Sequence, residues 1–371
     1  MSETGRLVSR PAALLFVYNA RMKKETRQEV LYRQYRPQTF KEVRGQPQVT
    51  DTLEKAIKNK KVAHAYLFSG SRGTGKTSVA RILAKELGVS SKDLYEIDAA
   101  SNRGIDDIRL LREGVYAMPF DSPYKFYIID EAHMLTKDAW NAFLKTLEEP
   151  PAHAIFVLAT TERDKIPETI QSRCEIYSFK QPTREMLAEV VVDVAKSEGF
   201  ALERSAAELV ALLAEGSFRD ALGILQKVLA VSENKRVEVS EVEAVSGAPR
   251  GELVRKILEA LAKKDSNAAL SAICAAVSEN VDARVLTKLL IHRMRVVLLM
   301  RFAPDLVGAF SKELSEADIA LAKDVSKEPG VNSDTLRALL EAYSQMTYAA
   351  VPHLPLELAV VEICEKGNQS S

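Results

Sequence analysis

The chain has 371 residues, more than one hydrophobic core usually organises, so two or three domains are expected. It carries 51 Lys plus Arg and 51 Asp plus Glu. Its bulk charge therefore does not indicate a nucleic-acid partner, and any DNA contact has to be a local basic patch.

The cysteines and the apolar stretches restrict the environment of the protein. Cys174, Cys274 and Cys364 lie far apart, with no Cys-x-x-Cys pair. This excludes a zinc ribbon and favours a reducing, cytoplasmic location, so no zinc is expected. The most apolar helical stretch, residues 285–300, also carries basic side chains, so we expect a core helix there and no membrane span.

The N-terminal residues 1–25 are expected to form a disordered or mis-assigned tail. The apolar run at residues 10–17 is too short for a signal peptide, and no convincing cleavage site follows it. Met22 is a second possible translation start beside Met1.

From residue 26 to 182 the pattern alternates strands and helices, which predicts a parallel sheet covered on both faces. The predicted strands are 65–69, 94–97, 125–129, 154–159 and 175–179. The predicted helices are 78–84, 104–113 and 137–147.

Beyond Pro182 the pattern predicts helices alone. A small lid domain is expected at 183–247, with helices over 183–198, 205–215 and 217–231 and with capping boxes that begin at Ser205 and Ser240. A third domain at 248–366, without a catalytic motif, is expected to serve assembly, followed by a short tail at 367–371. Its predicted helices are 251–263, 265–278, 281–302, 314–326, 332–349 and 354–366. The predicted fold class is α/β plus all-α.

The stretch GSRGTGKT, residues 70–77, follows a predicted strand and precedes a predicted helix. It matches the phosphate-loop pattern, in which backbone N–H groups and a helix N-terminus converge on a polyphosphate. Lys76 is placed to reach the β- and γ-phosphates of ATP, and the Thr77 hydroxyl to ligate Mg²⁺. The residues expected to contact the nucleotide here are Gly70, Ser71, Arg72, Gly73, Thr74, Gly75, Lys76, Thr77 and Ser78.

Asp130 and Glu131 close the predicted third strand. Beside a phosphate loop, Asp130 can hold Mg²⁺ and Glu131 can polarise the attacking water. The residues DEAH at 130–133 also match a motif of a large helicase class. Such helicases need a second parallel-sheet domain, whereas residues 183–366 are predicted to be helical. His133 is therefore expected to have a structural or orienting role.

Four further polar residues are less specific indicators of function. Thr160 and Thr161 end the fourth strand, where a hydroxyl can reach the γ-phosphate. Arg219 falls in the first turn of a predicted helix, where a cation meets an unfavourable dipole, which is a moderate functional signal. Chemistry alone does not assign a role to Arg173.

Together these segments resemble the AAA+ ATPases, and more narrowly the bacterial DNA polymerase III gamma/tau family, over about residues 31–366. The segments that carry the resemblance are YRPQTF (35–40), AYLFSGSRGTGKT (65–77), EIDAAS (96–101), DEAHML (130–135), LKTLEEPP (144–151), ATT (159–161), SRC (172–174), GSFRD (216–220) and HLPLELA (353–359).

The resemblance implies further roles. Thr161 would sense the γ-phosphate, Arg219 would be the lid-domain sensor acting in cis, and Arg173 would be an arginine finger acting on a neighbouring subunit's ATP. We expect Arg173 on the far edge of the sheet from Lys76. Adenine and ribose would lie near Tyr35, Arg36, Pro37 and Val43.

The resemblance also implies a partner set. The third domain would form the collar of a hetero-pentameric ring, which loads a sliding clamp on primer–template DNA with ATP and Mg²⁺. The family's DNA contacts would follow phosphates and shape, and Lys145, Arg103 and Arg109 are candidates for them.

Two departures from the family pattern stand out. Members usually carry a four-cysteine zinc module after the phosphate-loop helix, whereas residues 87–91 run straight on to Leu94 here. The long tau-type extension is also missing, so a gamma-length form is expected.

Three alternatives stay open. A small subunit of an archaeal or eukaryotic clamp loader would share most motifs, although the residues at 147–151 and 160–161 favour the bacterial type. A non-hydrolysing assembly subunit should have lost the phosphate loop. A AAA+ branch-migration motor should end in a winged helix, and only helices are predicted there.

Overall fold

The structure, a computed structural model, describes residues 29–304 and 316–365. The tails expected at 1–25 and 367–371, the choice between Met1 and Met22, and the start of the helix expected at 314–326 lie outside the described residues.

A five-stranded sheet carries the phosphate loop, and all its strand pairs are parallel. Its order is β2-β3-β4-β1-β5. The central strands are fully or almost fully buried, as continuous apolar runs in a parallel sheet require, whereas the edge strands β2 and β5 are partly exposed. The strands are β1 Ala65–Ser69, β2 Leu94–Asp98, β3 Lys125–Asp130, β4 Ala154–Thr160 and β5 Glu175–Ser178.

Each helix expected from the sequence has a counterpart among the described residues, whereas the helix Pro47–Lys58 was not expected. The helices of the described residues are α1 Leu31–Gln34, α2 Pro47–Lys58, α3 Lys76–Glu86, α4 Ile105–Val115, α5 Lys137–Glu148, α6 Glu168–Gln171, α7 Arg184–Ser197, α8 Arg204–Leu213, α9 Phe218–Val231, α10 Val239–Ser246, α11 Gly251–Lys263, α12 Ser266–Ser278, α13 Ala283–Phe302, α14 Glu316–Val325, α15 Ser333–Gln345 and α16 Leu354–Glu365.

The sheet separates two apolar cores because successive strand side chains point to opposite faces. Leu67 and Phe156 enter a core shared with α4 and α5. Tyr66 and Phe126 enter a core shared with α2 and α3. Helices on both faces of a parallel sheet confirm the α/β part of the predicted fold class, and the helices that follow confirm the all-α part.

Helices α7–α10 pack around their own core, and α11–α16 pack around another. Leu212 of α8 belongs to the second of these cores, so the two helical groups are in contact. No helix in the described ranges 29–304 and 316–365 is both long and apolar enough to cross a bilayer.

The predicted capping boxes at Ser205 and Ser240 are wrong. Two short strands, β6 Ala201–Leu202 and β7 Arg236–Val237, pair in parallel, and Glu203 N–H donates to the Val237 carbonyl at 3.1 Å. This pairing keeps Glu203 and Glu238 extended, so α8 starts at Arg204 and α10 at Val239. The pairing thereby sets the helix starts that the serines were expected to set.

Candidate functional site

The phosphate loop connects β1 to α3 through a backbone that needs glycine. Gly70, Gly73 and Gly75 have φ values of +148°, +72° and +102°. A side chain is disfavoured in that region, and at Gly70 a Cβ would also lie 2.6 Å from the Phe179 carbonyl oxygen. The glycines thus allow the chain to curl back over the N-terminus of α3.

Lys76, the first residue of α3, lies beneath this loop and is only 6% exposed. Its Nζ donates to the carbonyl oxygens of Gly70 at 2.7 Å and Ser71 at 2.9 Å. Burial lowers the pKa of Lys76, while the nearby carboxylates of Glu131 and Asp130 oppose that shift. The ammonium group is therefore positioned by the loop and supported by the acidic pair.

Thr77, in the first turn of α3, meets Asp130 at the C-terminal end of β3. The Thr77 hydroxyl donates to Asp130 Oδ2 at 2.9 Å, and Asp130 Oδ1 accepts from the Glu131 N–H at 3.0 Å. A hydroxyl and a carboxylate are hard oxygen donors of the kind that Mg²⁺ takes together with water and phosphate oxygens. In the described parts of the chain, no group of three or more His, Cys, Asp or Glu side chains is arranged to hold a metal ion.

Glu131 follows β3 with a left-handed backbone, at φ +47°, which is unusual for a residue with a side chain. Its Oε2 accepts from the Thr161 hydroxyl at 3.1 Å and lies 3.5 Å from His133 Nδ1. His133, 8% exposed at the side chain, also lies 3.1 Å from Thr160 Oγ1 and 3.2 Å from Glu162 Oε1. The carboxylate is therefore oriented by the Thr161 hydroxyl, which follows β4, and lies beside the imidazole of His133, which is in the turn after β3.

A cavity of about 1010 Å³ lies beside the loop and brings together most of the residues assigned from the sequence. The assigned residues that line it are 35–37, Val43, 72–78, Asp130, Glu131 and Arg219. Gly70 and Thr161 instead line a cavity of about 550 Å³. Ser71 contributes its carbonyl oxygen to the Lys76 ammonium.

Arg219 reaches the larger cavity from the helical region. It lies in the first turn of α9, which Ser217 caps by accepting from the Asp220 N–H at 3.2 Å. The Arg219 guanidinium lies 5.0 Å from the centre of the Tyr32 ring. Phe218 N–H donates to the Gly73 carbonyl at 3.1 Å, so the start of α9 rests on the phosphate loop itself.

Arg173 lies away from this cavity, but not across the sheet as expected. Strand β5 is an edge strand, but it pairs directly with β1, the strand that leads into the phosphate loop. The expectation that Arg173 lies on the far edge of the sheet from Lys76 is therefore wrong. Arg173 precedes β5, whereas the phosphate loop follows β1, which places them at opposite ends of parallel neighbours. Its guanidinium pairs with Glu148 at 2.6 Å and donates to the Thr169 carbonyl at 2.6 Å.

One face of α7 also lines the large cavity, and the sequence interpretation did not assign it. Val190, Asp193, Val194 and Ser197 project from this helix toward the nucleotide-sized space. Their spacing of three, four and seven residues is that of one helix face, which was the available signal. Asp193 also pairs with Arg44, another lining residue, at 3.0 Å.

The chain is similar to several known proteins. A family model described as "DNA polymerase III, delta subunit" matches residues 45–96 and 88–183. The DNA polymerase III subunit tau of Bacillus subtilis is 37% identical over 92% of this chain and 64% of its own length. A gamma/tau subunit of Mycobacterium tuberculosis is 35% identical over 90% of this chain and 62% of its own length.

The chain thus spans less than two thirds of the length of these curated relatives. Among solved structures, a variant of RuvB from Thermotoga maritima superimposes with a TM-score of 0.50 at 23% identity, covering 68% of this chain and 88% of that one. That likeness supports the AAA+ fold.

Proposed function

We propose that the chain belongs to the DNA polymerase III gamma/tau family and is the ATP-driven motor subunit of a bacterial sliding-clamp loader. The observation that carries the nucleotide part is the convergence of Lys76, the Thr77–Asp130 pair and the lid residue Arg219 on one cavity. An AAA+ fold with these groups is equipped for ATP binding and hydrolysis.

Each residue has a proposed task, which for most of them is supported by their place around the larger cavity. Lys76 and the loop N–H groups hold the β- and γ-phosphates, while Thr77 and Asp130 hold Mg²⁺, which neutralises charge on those phosphates when bound. Glu131 orients and polarises the attacking water. Thr161 and Arg219 sense the γ-phosphate, and the segment 35–37 with Val43 holds adenine and ribose.

For the domains, we propose an AAA+ unit at 26–182, a lid at 183–247 and a collar at 248–366. The collar would join other subunits in a hetero-pentameric ring, and Arg173 would then act on a neighbouring subunit's ATP. The side chain of Arg173 is already partly exposed, at 33%, which suits a contact with a second chain.

Exposed apolar side chains support a protein partner such as the sliding clamp. Leu110 in the middle of α4, and Tyr116, Met118 and Phe120 beyond its end, are between 57% and 77% exposed. An apolar group of this kind on a folded surface is typical of an interaction site. A cytoplasmic location fits a replication protein.

Primer–template DNA is proposed to contact exposed cations by shape and phosphate charge. Arg103, Arg109 and Lys145 are exposed, and α4 and α5 pack together through the core beneath the sheet. Arg109 pairs with Asp106 at 3.2 Å, so part of its charge is already compensated.

No zinc is proposed, because Cys174, Cys274 and Cys364 lie far apart in the sequence, with no Cys-x-x-Cys pair. Elemental analysis of the purified chain tests this.

A clamp-transfer assay tests the function as a whole. The chain, assembled with its partner subunits, should move a labelled clamp onto a primed circle with ATP, and should fail to do so when it carries Lys76→Ala. If the Lys76→Ala chain transferred the clamp equally well, the chain would be a non-hydrolysing assembly subunit.

A further inference from the structure

A five-residue segment, 215–219, contacts the nucleotide site at one end and the collar helices at the other. This bridge segment includes Arg219, which lines the nucleotide cavity, and Glu215, which follows the C-cap of α8 and precedes the cap of α9 by two residues. Both ends are fixed by specific contacts.

At the nucleotide end, the bridge segment fits closely against the phosphate loop. Phe218 N–H donates to the Gly73 carbonyl at 3.1 Å, and Ser217 is 4% exposed. A Cβ added at Gly73 would lie 1.9 Å from Ser217 Oγ, so the two backbones approach as closely as glycine allows. A shift of the bridge segment would therefore disturb the loop that is proposed to hold the phosphates.

At the collar end, the carboxylate of Glu215 is held by two collar helices. Its Oε1 accepts from Lys288 Nζ of α13 at 2.9 Å and from the Tyr343 hydroxyl of α15 at 3.3 Å. The Arg284 guanidinium lies 4.7 Å from the centre of the Tyr343 ring. Lys288 is mostly buried, with 19% of its side chain exposed, so its ammonium depends on Glu215 for a nearby negative charge.

The backbone between these ends is held in a conformation that ordinary residues avoid. Glu215 and Gly216 have φ values of +53° and +79°. Gln181, just before α7, donates to the Glu215 carbonyl at 2.5 Å and fills the space beside Gly216. A glutamate at a left-handed position is less stable than a glycine there, because its Cβ is crowded. The contacts of the Glu215 side chain with the collar helices offset that strain.

We propose that Glu215 is a positioning residue that ties the bridge segment to the collar. Through it, Lys288 and Tyr343 fix the placement of Ser217 and Phe218 on the phosphate loop and of Arg219 in the cavity. The position of the collar and the affinity for nucleotide are then coupled within one chain, and the coupling is reciprocal. This inference rests on the proposed nucleotide site but adds a residue that does not touch nucleotide.

The test measures binding of a fluorescent ATP analogue to the full chain. Glu215→Gln and Lys288→Gln should each weaken binding about three- to five-fold, the range of one partly exposed ion pair. The double variant should be no weaker than either single one, because both remove the same contact. Lys288→Arg, which keeps the cation, should retain most of the affinity.

Two controls separate positioning from general stability. Glu259→Gln removes a comparable pair with Lys263 within α11, and should leave binding unchanged. Glu215→Gly removes the same ion pair as Glu215→Gln but relieves the backbone, so its thermal midpoint should fall less than that of Glu215→Gln while its affinity falls as much.

Two results would overturn the inference in different ways. Failure of the unaltered chain to bind nucleotide would overturn the proposed function together with this inference. Normal binding that is indifferent to Glu215→Gln and to Glu215→Gly would overturn the inference alone.

Discussion

The Thr161 hydroxyl donates to Glu131 Oε2 at 3.1 Å. These two side chains come from the ends of β4 and β3, which pair directly, so the contact follows from strand register. The residue proposed to sense the γ-phosphate is thus bonded to the residue proposed to activate water. A phosphate that attracts Thr161 would compete with this bond, which links sensing to the orientation of the carboxylate.

Lys76→Ala should abolish binding of ATP to the isolated chain. The substitution removes a buried cation aimed at the phosphates, and losses of this kind typically raise the dissociation constant by about 100-fold or more. Calorimetric titration with Mg-ATP measures it. Lys58→Ala, an exposed lysine on α2, is the matched control and should bind normally. Retained binding in the Lys76 variant would remove this lysine from the site.

Glu131→Gln should keep ATP binding and slow hydrolysis by about 100-fold or more, because only activation of the water is lost. The amide can still accept from Thr161, so the local packing should persist. Single-turnover hydrolysis beside a binding titration separates the two effects. Glu148→Gln, which carries the same charge change outside the cavity, serves as the control for binding. Unchanged turnover in the Glu131 variant would remove the assigned role.

The collar should lose stability in mild acid through His292. Burial, together with nearby Arg184, Arg293, Arg295 and Lys288, lowers the pKa of His292 to about 3 from an ordinary 6.5. The unfolded chain therefore binds the extra proton first, so this residue's contribution to stability is complete above pH 6.5 and is lost as the pH falls toward 3. The slope is at most about 1.4 kcal/mol per pH unit.

Urea unfolding at several pH values between 7 and 4 checks this. His292→Gln should flatten the pH dependence of the unfolding midpoint, whereas His353→Gln, at a partly exposed surface position, should leave it unchanged. Equal slopes for His292→Gln and the unaltered chain would contradict the expectation.

Arg173→Ala should bind ATP normally as an isolated chain but fail to support hydrolysis in the assembled ring. An arginine supplied in trans stabilises charge on the γ-phosphate and is worth about a thousand-fold or more in rate. Mixing this variant with Lys76→Ala should restore some activity, because the Lys76→Ala subunits still supply an arginine to intact neighbouring sites. A mixture that co-assembles yet stays inactive would exclude the trans role.

The local parts of the site could be predicted from the sequence, because contiguous residues set them. Gly70, Gly73 and Gly75 mark the turn, and Asp130 ends a strand that must reach the same edge. The helix Pro47–Lys58 was not among the predicted elements, although proline at its first position and the pair Val49 and Leu53 are helix signals.

Contacts between distant segments could not be predicted in the same way. The capping serines were displaced because the two-residue strands β6 and β7, too short to show a period, fix where α8 and α10 begin. The contacts of Arg219 with Tyr32 and of Arg173 with Glu148 depend on how whole helices pack. An arginine in the sequence is only a weak sign of such a contact, because most arginines lie in solvent.

The most direct test of the account is ATP turnover by the chain assembled with its loader partners, with and without sliding clamp and primed DNA. Turnover should be slow without the additions and should rise when both are present, with a stimulation that weakens steeply as salt increases because phosphate contacts release counterions. Turnover that is absent in every condition, or that ignores clamp and DNA at low salt, would contradict the proposal of an ATP-driven clamp-loader motor.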